Sequence, residues 1–418
     1  MLRWILILTI YLLIDIYAFQ AFKTVFKNKW ILIAYWLITI IVMGYFIYQL
    51  FFNFNRSIGL TPKTNQAIGM FLTFFIPKVV ILFFVFGEDI FRTPQALYRL
   101  FIEGKSVENN YFPSRRKFIS QMALVVAAIP FSSLLYGMYK GKYNYKVLKY
   151  VLEFDDLPDA FNGYQITQIS DIHSGSFDPE TSKQKIEYGI DLINQQNSDV
   201  ILFTGDLVNN RADEMHPWID IFKKLNAKDG KFSVLGNHDY GDYIEWKSKE
   251  AKIENMKALE AVHKQLGFNL LLNENRFLQK NGEKIALIGV ENWGAGGFKK
   301  AGDLQKATKG IRSEDFKILM SHDPSHWEQQ VKSNATHYHL TLSGHTHGMQ
   351  FGIEIPGWIK WSPVKWRYKY WAGIYEEAGR FINVNRGFGF LAYPGRVGIW
   401  PEITVITLKK KVTSNEIS

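Results

Sequence analysis

The sequence predicts a chain in two parts, an N-terminal helical membrane domain followed by an α/β domain. Three observations predict it. The first 140 positions hold four apolar runs of about 20 residues. The remainder alternates β-rich stretches with helical patterns, the signature of an open sheet flanked by helices. Five of those stretches, residues 164–170, 200–204, 232–235, 316–320 and 339–343, run directly into short motifs of Asp, Asn, His and Gly.

The apolar runs are residues 4–22, 30–52, 67–87 and 118–138, each long enough as a helix to cross a hydrocarbon core of about 30 Å. Residues 1–140 hold 14 Lys or Arg against 5 Asp or Glu, which leaves 35 against 34 beyond them and explains nearly all of the net charge of +10. The basic balance is therefore a membrane-topology signal. A nuclease would carry its positive charge on the catalytic domain, so the near-neutral remainder argues against nucleic acid as the partner.

Those charges also orient the chain. Lys23, Lys27 and Lys29 follow the first run, and Arg92, Arg99, Lys105, Arg115, Arg116 and Lys117 precede the fourth, whereas the other side has mainly Arg3, Arg56 and Lys63. The positive-inside rule then puts the second domain outside the cytoplasm of a multi-pass membrane protein. Ser114-Arg115-Arg116-Lys117-Phe118 before the fourth run resembles an internal twin-arginine export motif; the alternative is a pair of membrane anchors, and both leave the domain on the same side. Lys78, beside Pro77 inside the third run, is read as a snorkelling residue near a kink, and no ligand cluster within the runs suggests a transporter.

The five motifs are Asp171-Ile172-His173, Gly205-Asp206, Gly236-Asn237-His238-Asp239, Ser321-His322-Asp323 and Gly344-His345-Thr346-His347. They supply carboxylate, imidazole and amide donors in the proportions of a two-metal hydrolytic centre. With no cysteine in 418 residues, thiolate ligation is excluded, and the donor set suits Mn, Fe, Zn or Co without choosing among them.

The ordered motifs resemble the calcineurin-like metallophosphoesterase superfamily, whose signature D-x-H, GD, GNH(D/E), H and GHxH they match without a gap. Its membrane-anchored bacterial branch is similar also at Asn385-Arg386-Gly387. The resemblance covers about residues 146–408, leaves 409–418 as a tail, and implies a sandwich of two mixed sheets flanked by helices. It further implies that Asp171, His173 and His347 hold one divalent metal and Asn237, His322 and His345 a second, with Asp206 bridging. His238 is then the catalytic acid that protonates the leaving oxygen, while a metal-bridging hydroxide attacks phosphorus. The implied activity is hydrolysis of a phosphomonoester, phosphodiester or pyrophosphate, favouring an envelope or lipid-linked substrate at a bacterial cell membrane. The alternatives are a silent binding or scaffold protein on the same fold, and a sugar-nucleotide lipid pyrophosphatase.

Two departures from the family pattern matter. Where many relatives have an Asp three residues after the bridging one, this chain has Asn209, which leaves Asp239 or the Asn209 amide oxygen to orient His238. Gly348-Met349-Gln350 replaces a common glycine pair and should alter the adjoining loop. His337 and His339 are expected to be buried and hydrogen-bonded, and His326 to lie at the surface, with His216 and His263 outside the site.

One segment stands apart. Residues 358–371 contain four tryptophans, two tyrosines and four cations, a composition that suits membrane lipids or a lipid headgroup; an aromatic hairpin packed over the core is the alternative. Oligomeric state is not readable.

Overall fold

The computed structural model describes residues 2–102, 113–355 and 357–411. It divides into two compact units, Met1–Asn53 with Gln66–Gly137, and Phe54–Asn65 with Met138–Ser418.

The first unit is helical: α1 (Leu2–Val25), α2 (Lys29–Ile47), α3 (Pro62–Phe101) and α4 (Pro113–Tyr139) cover the four apolar runs. Among the described residues three stretches are long and apolar enough to cross a membrane, Lys29–Phe52, Pro62–Pro94 and Ser114–Tyr139. α1, at 24 residues, covers the remaining run.

Two expectations change here. Lys78 does not snorkel; it is buried, ion-paired to Asp15 of α1 and bonded to Thr39 Oγ1 of α2 at 2.8 Å. A buried ammonium far from water is held by the nearest carboxylate, and Asp15 lies hidden in an otherwise apolar run. Arg116 is likewise buried, paired with Glu88 and, at 2.8 Å, with Asp89, while Arg115 is exposed. The second arginine of the pair thus ties α4 to α3, which suits an anchor. Lys105 lies outside the described residues.

The second unit is a sandwich of two six-stranded mixed sheets. Its strands in chain order are β1 (Lys146–Phe154), β2 (Gln165–Ile169), β3 (Val200–Phe203), β4 (Lys231–Ser233), β5 (Phe268–Leu270), β6 (Glu274–Lys280), β7 (Glu283–Gly289), β8 (Lys317–Met320), β9 (Leu340–Ser343), β10 (Ile353–Ile355), β11 (Ile359–Trp361), β12 (Gly373–Glu377), β13 (Arg380–Val384) and β14 (Glu402–Lys410). One sheet runs β1-β14-β2-β3-β4-β5 and the other β12-β13-β9-β8-β7-β6, with β10 and β11 a separate hairpin. β14 pairs in parallel with β1 as far as Phe154↔Lys410, so the sheet takes Lys409 and Lys410 from the expected tail.

Central strands β3, β8 and β9 are buried at every position, as expected for parallel strands covered on both faces. Ile166, Val200, Leu202, Ile285, Ile318 and Leu340 from the two sheets fill one core between them. The outer face of the first sheet is covered by α5 (Lys183–Asn194), the short α6 (Ile219–Phe222) and α7 (Lys249–Gln265), through Ile186, Ile190, Phe222 and Leu259. Trp327 and Tyr338 pack against the second sheet beside the short helix α8 (Leu304–Ala307).

His339 is buried, accepting from the Lys317 main-chain N–H at 2.9 Å and meeting Asp156 at 2.7 Å. His326 is also buried, contrary to the surface expectation, between Ser321 Oγ at 2.8 Å and Gln330 at 3.0 Å with its ring stacked on Trp293. The helix that starts at this point turns it inward, and sequence spacing gave no sign of that face.

Candidate metal centre

β2, β3 and β4 are adjacent and parallel in one sheet, and β8 and β9 in the other, so their carboxyl ends lie on a common edge. Each of the five motifs begins just past one of these ends, where side chains from distant sequence positions can converge. Asp171, His173, Asp206, His345 and His347 all have left-handed backbone, with φ from 50° to 73°. Non-glycine residues adopt that region at a cost of order 1–3 kcal/mol, and such strain clusters at functional sites.

Two groups of donors form. Asp171, His173 and His347 make one and Asp206, His322 and His345 the other, the ligand atoms in each lying within 4.8 Å of one another. Asn237 joins the second: its Oδ1 is 2.8 Å from His345 Nδ1, while its amide nitrogen donates to the Tyr243 hydroxyl at 2.7 Å. Asp206 stands between the groups, with Oδ2 3.5 Å from His173 Nε2 and 3.1 Å from His322 Nε2. Its Oδ1 accepts the His238 main-chain N–H at 2.8 Å.

The surroundings fix these orientations. His322 donates through Nδ1 to the Thr204 carbonyl at 2.7 Å, which turns Nε2 toward Asp206 Oδ2 at 3.1 Å. His345 places Nε2 against the Tyr368 hydroxyl at 2.8 Å. Gly236 and Gly344 have no alternative: a Cβ would lie 2.2 Å from Asp206 Oδ1 at the former and 2.4 Å from Asp171 Oδ2 at the latter.

Burial raises the Asp171 carboxyl, but the imidazoles of His347 and His322 outweigh it and hold the group below the usual carboxylate range. Asp206 is held down in the same way, its burial overcome by His322 and His238. Burial lowers His173 and His238 and brings His345 to about 4. His322 is the exception, lowered by burial but raised to about 10 by Asp206 and Asp171. Anionic carboxylates and neutral imidazoles are the states a cation needs, and the His322 charge balances the carboxylates where a cation would otherwise do so. His173 Nε2 faces His347 Nε2 at 3.0 Å, and His173 Nδ1 is buried without a hydrogen-bond partner among the described residues. Nitrogens turned on one another beside carboxylate oxygens fit a divalent N/O-bound metal.

His238 is half-buried, and its Nδ1 meets the main-chain carbonyl of Asn209 at 2.9 Å. Neither expected side chain orients it. Asp239 is turned away, accepting from the N–H groups of Asp206, Leu207 and Gly236 at 2.8–2.9 Å, and so shapes the turn that presents Asp206. The Asn209 side chain is engaged with Ser176.

A cavity of about 380 Å³ opens on Asp206, Asn237, His238, His345 and His347, and its lining also includes Phe298, Met349, Trp366 and Leu391. Part of that lining belongs to the aromatic segment. Tyr368 is buried against His345, Arg367 lies over the Phe298 ring at 5.2 Å, and Trp366 is 76% exposed. Lys360 sits over the Trp371 and Tyr375 rings and Lys369 bonds Glu377 at 2.9 Å. The segment is therefore part of the site, not separable from it as its distance in sequence suggested. Met349 and Gln350 both adopt positive φ, and the Gln350 amide is fastened to the Tyr393 carbonyl at 2.9 Å.

Two residues escaped sequence reasoning. Tyr368 lies 23 positions beyond its partner His345. Arg396 is fully buried, with Nη2 3.3 Å from His347 Nδ1, Nε donating to the Gly389 carbonyl at 2.9 Å, and its guanidinium lowered by burial to about 10. No motif marks either.

Residues 164–349 match the family model described as calcineurin-like phosphoesterase, and residues 2–142 match a probable calcineurin-like phosphoesterase transmembrane domain of the four-span type. The chain is 30% identical over 306 residues to the uncharacterized metallophosphoesterase YkuE of Bacillus subtilis, covering 71% of this chain and 98% of that one. A transmembrane protein with metallophosphoesterase domain from Danio rerio is 26% identical, covering 79% and 71% respectively. The UDP-2,3-diacylglucosamine pyrophosphatase LpxG of Chlamydia trachomatis is 25% identical, covering 56% and 81%. Strand-end donors of the kind a phosphoesterase needs, joined to apolar helices that match the family's own membrane domain, lead to one conclusion: this chain belongs to the calcineurin-like metallophosphoesterases, metal-dependent hydrolases of phosphoric esters, and is a membrane protein.

Proposed function

We propose that the chain hydrolyses a phosphodiester or pyrophosphate bond of a lipid-linked or envelope substrate at a two-metal centre. Asp171, His173 and His347 would hold one cation, Asn237, His322 and His345 the other, and Asp206, which lies between the groups, both. The observation that carries this reading is the convergence of these seven side chains from five strand ends, with Asp206, Asn237, His345 and His347 lining one cavity together with His238. Bound there, divalent cations supply an activated water and neutralise charge on the phosphoryl oxygens.

The protein's own groups do the rest. The Asn209 carbonyl fixes the His238 ring through Nδ1; the departing oxygen would take its proton from Nε2 of the imidazolium form, which burial disfavours and which Asp206 and the Asn209 carbonyl favour. Asn237 is aligned by Tyr243, and His345 by Tyr368. Arg367 at the rim offers a cation to a second anionic group, and Phe298, Met349, Trp366 and Leu391 offer an apolar substituent a place beside the phosphate. That amphiphilic lining, with the similarity to a protein named as a lipid-nucleotide pyrophosphatase, supports the lipid-linked substrate.

Metal-reconstituted protein should cleave bis(p-nitrophenyl) phosphate, and Asp206→Asn should lose bound metal and nearly all turnover. Full activity in that variant, or in excess chelator, would overturn the two-metal reading. The proposed side is extracytoplasmic, from the cations around the predicted loops. A cysteine introduced at Lys411 should react with impermeant maleimide in intact spheroplasts; labelling only after lysis would reverse the topology.

A further inference from the structure

The helical unit contains polar groups that its apolar composition does not require. Lys78 is ion-paired to Asp15 and donates to Thr39 Oγ1 at 2.8 Å, and the Tyr35 hydroxyl donates to the Asp15 carbonyl at 2.9 Å. All four residues are buried. An ion pair in a hydrocarbon setting is costly next to apolar residues of the same volume, and such groups inside a membrane usually serve a function.

A second observation lies beside the pair. A cavity of about 440 Å³ opens among the helices, within the size range of small-ligand sites. Its wall includes Phe22, Phe26, Phe74 and Phe131, and its polar side chains are those of Tyr35, Thr39 and Lys78. An ammonium has three protons, and Asp15 and Thr39 engage two of them. The Tyr35 hydroxyl is directed to Asp15, so the cavity presents a donor, the third N–H of Lys78. A ligand that brings an acceptor meets that donor.

Charge narrows the class. The Lys78–Asp15 pair is neutral as a unit, so an anionic headgroup would leave a net charge in hydrocarbon, whereas a carbonyl oxygen would not. Depth narrows it again. Lys78 lies 11 residues beyond Ala67, where the apolar run begins, or about 16 Å along the helix and near the middle of a 30 Å core. The ester carbonyls of bilayer lipids sit nearer the interface, while a lipid-soluble ring ketone can reside at that depth. Four phenylalanine rings suit a planar partner.

We propose that the helical unit binds a neutral, lipid-soluble ring carbonyl compound of the quinone class, with its carbonyl oxygen on Lys78 and its ring among the cavity phenylalanines. This site is independent of the phosphoesterase centre. The test uses the full-length protein in phosphatidylcholine nanodiscs, photolabelled with an azidoquinone, with decylubiquinone as competitor and peptide mapping as the readout. Labelling should saturate, map to helices lining the cavity, and be competed by decylubiquinone. Lys78→Met should weaken binding by about tenfold or more, the loss of one charge-assisted hydrogen bond. Because that variant strands Asp15 and could misfold, Ala128→Trp serves as the second; Ala128 lines the cavity without touching the pair, and the added indole should block labelling. Labelling that does not saturate, that survives Ala128→Trp, or that diacylglycerol competes as well as decylubiquinone would overturn the proposal, the last by assigning the cavity to ester lipids.

Discussion

At the scale of single residues, the site separates groups that would hold metal from one that would move a proton. His238 lies next to Asn237 in sequence, yet its ring is held by a main-chain carbonyl and belongs to neither donor group. His238→Ala is therefore expected to retain metal, measured by elemental analysis, while turnover on an alkyl leaving group falls by about 10²–10⁴. The loss should shrink for nitrophenolate, which needs little protonation. Metal loss as severe as in Asp206→Asn would make His238 a ligand instead. The donor residues were legible because each stands at a fixed offset from a strand end. Tyr368 and Arg396 were not, because they reach the site through the tertiary path of the chain after β9, and that path has no local signature. Asp206 was legible as a donor residue but not in its detail, since the His238 N–H bonded to Oδ1 belongs to a turn shaped by Asp239.

At the scale of elements, the strands that carry the motifs were readable from β-branched runs, and their observed ends fall within two residues of the expected ones. Histidine burial was less readable. His263 on α7, His326 after β8 and His339 before β9 are all buried, and burial lowers their imidazoles to about 3, 4 and 4. Each folded-state value lies below the unfolded value near 6.5, so the unfolded chain binds more protons in this window. The stability these groups allow is fully present above about pH 6.5 and declines as pH falls toward 4. Urea midpoints should drop across that interval, and His263→Gln should make the drop shallower by removing one titrating group. An unchanged slope would mean that His263 does not stay neutral in the folded domain. The aromatic segment shows the opposite problem. Its composition predicted a lipid-facing surface, and Trp358 is indeed 81% exposed at the β10–β11 hairpin, but the same segment buries Tyr368 against a candidate ligand. Fourteen residues serve two surfaces, and composition averages over both.

At the scale of the whole molecule, the two sheets were expected from family resemblance, while the polar interior of the helical unit was masked by its mean hydropathy. One acid in a 24-residue helix scarcely changes the average, and only the packing of α1 against α3 brings Asp15 to Lys78. The division of the donors between the sheets has a mechanical consequence. Asp171, His173 and Asp206 extend from the first sheet, and His322, His345 and His347 from the second, so each donor group draws on both. A cation bound in either group would be a rivet through the sandwich, closing a loop of more than 100 residues without a covalent bond. Its grip is set by metal activity: at about 1,000 times the dissociation constant, each independent site adds about 4 kcal/mol to the folded state. Chelation should accordingly lower the melting temperature of wild type, with a much smaller effect on Asp206→Asn, and equal melting with and without chelator would show that no rivet forms. Scarcity of divalent cations would then loosen the sandwich as well as silence its chemistry, so that supply of the ion governs how long the enzyme lasts.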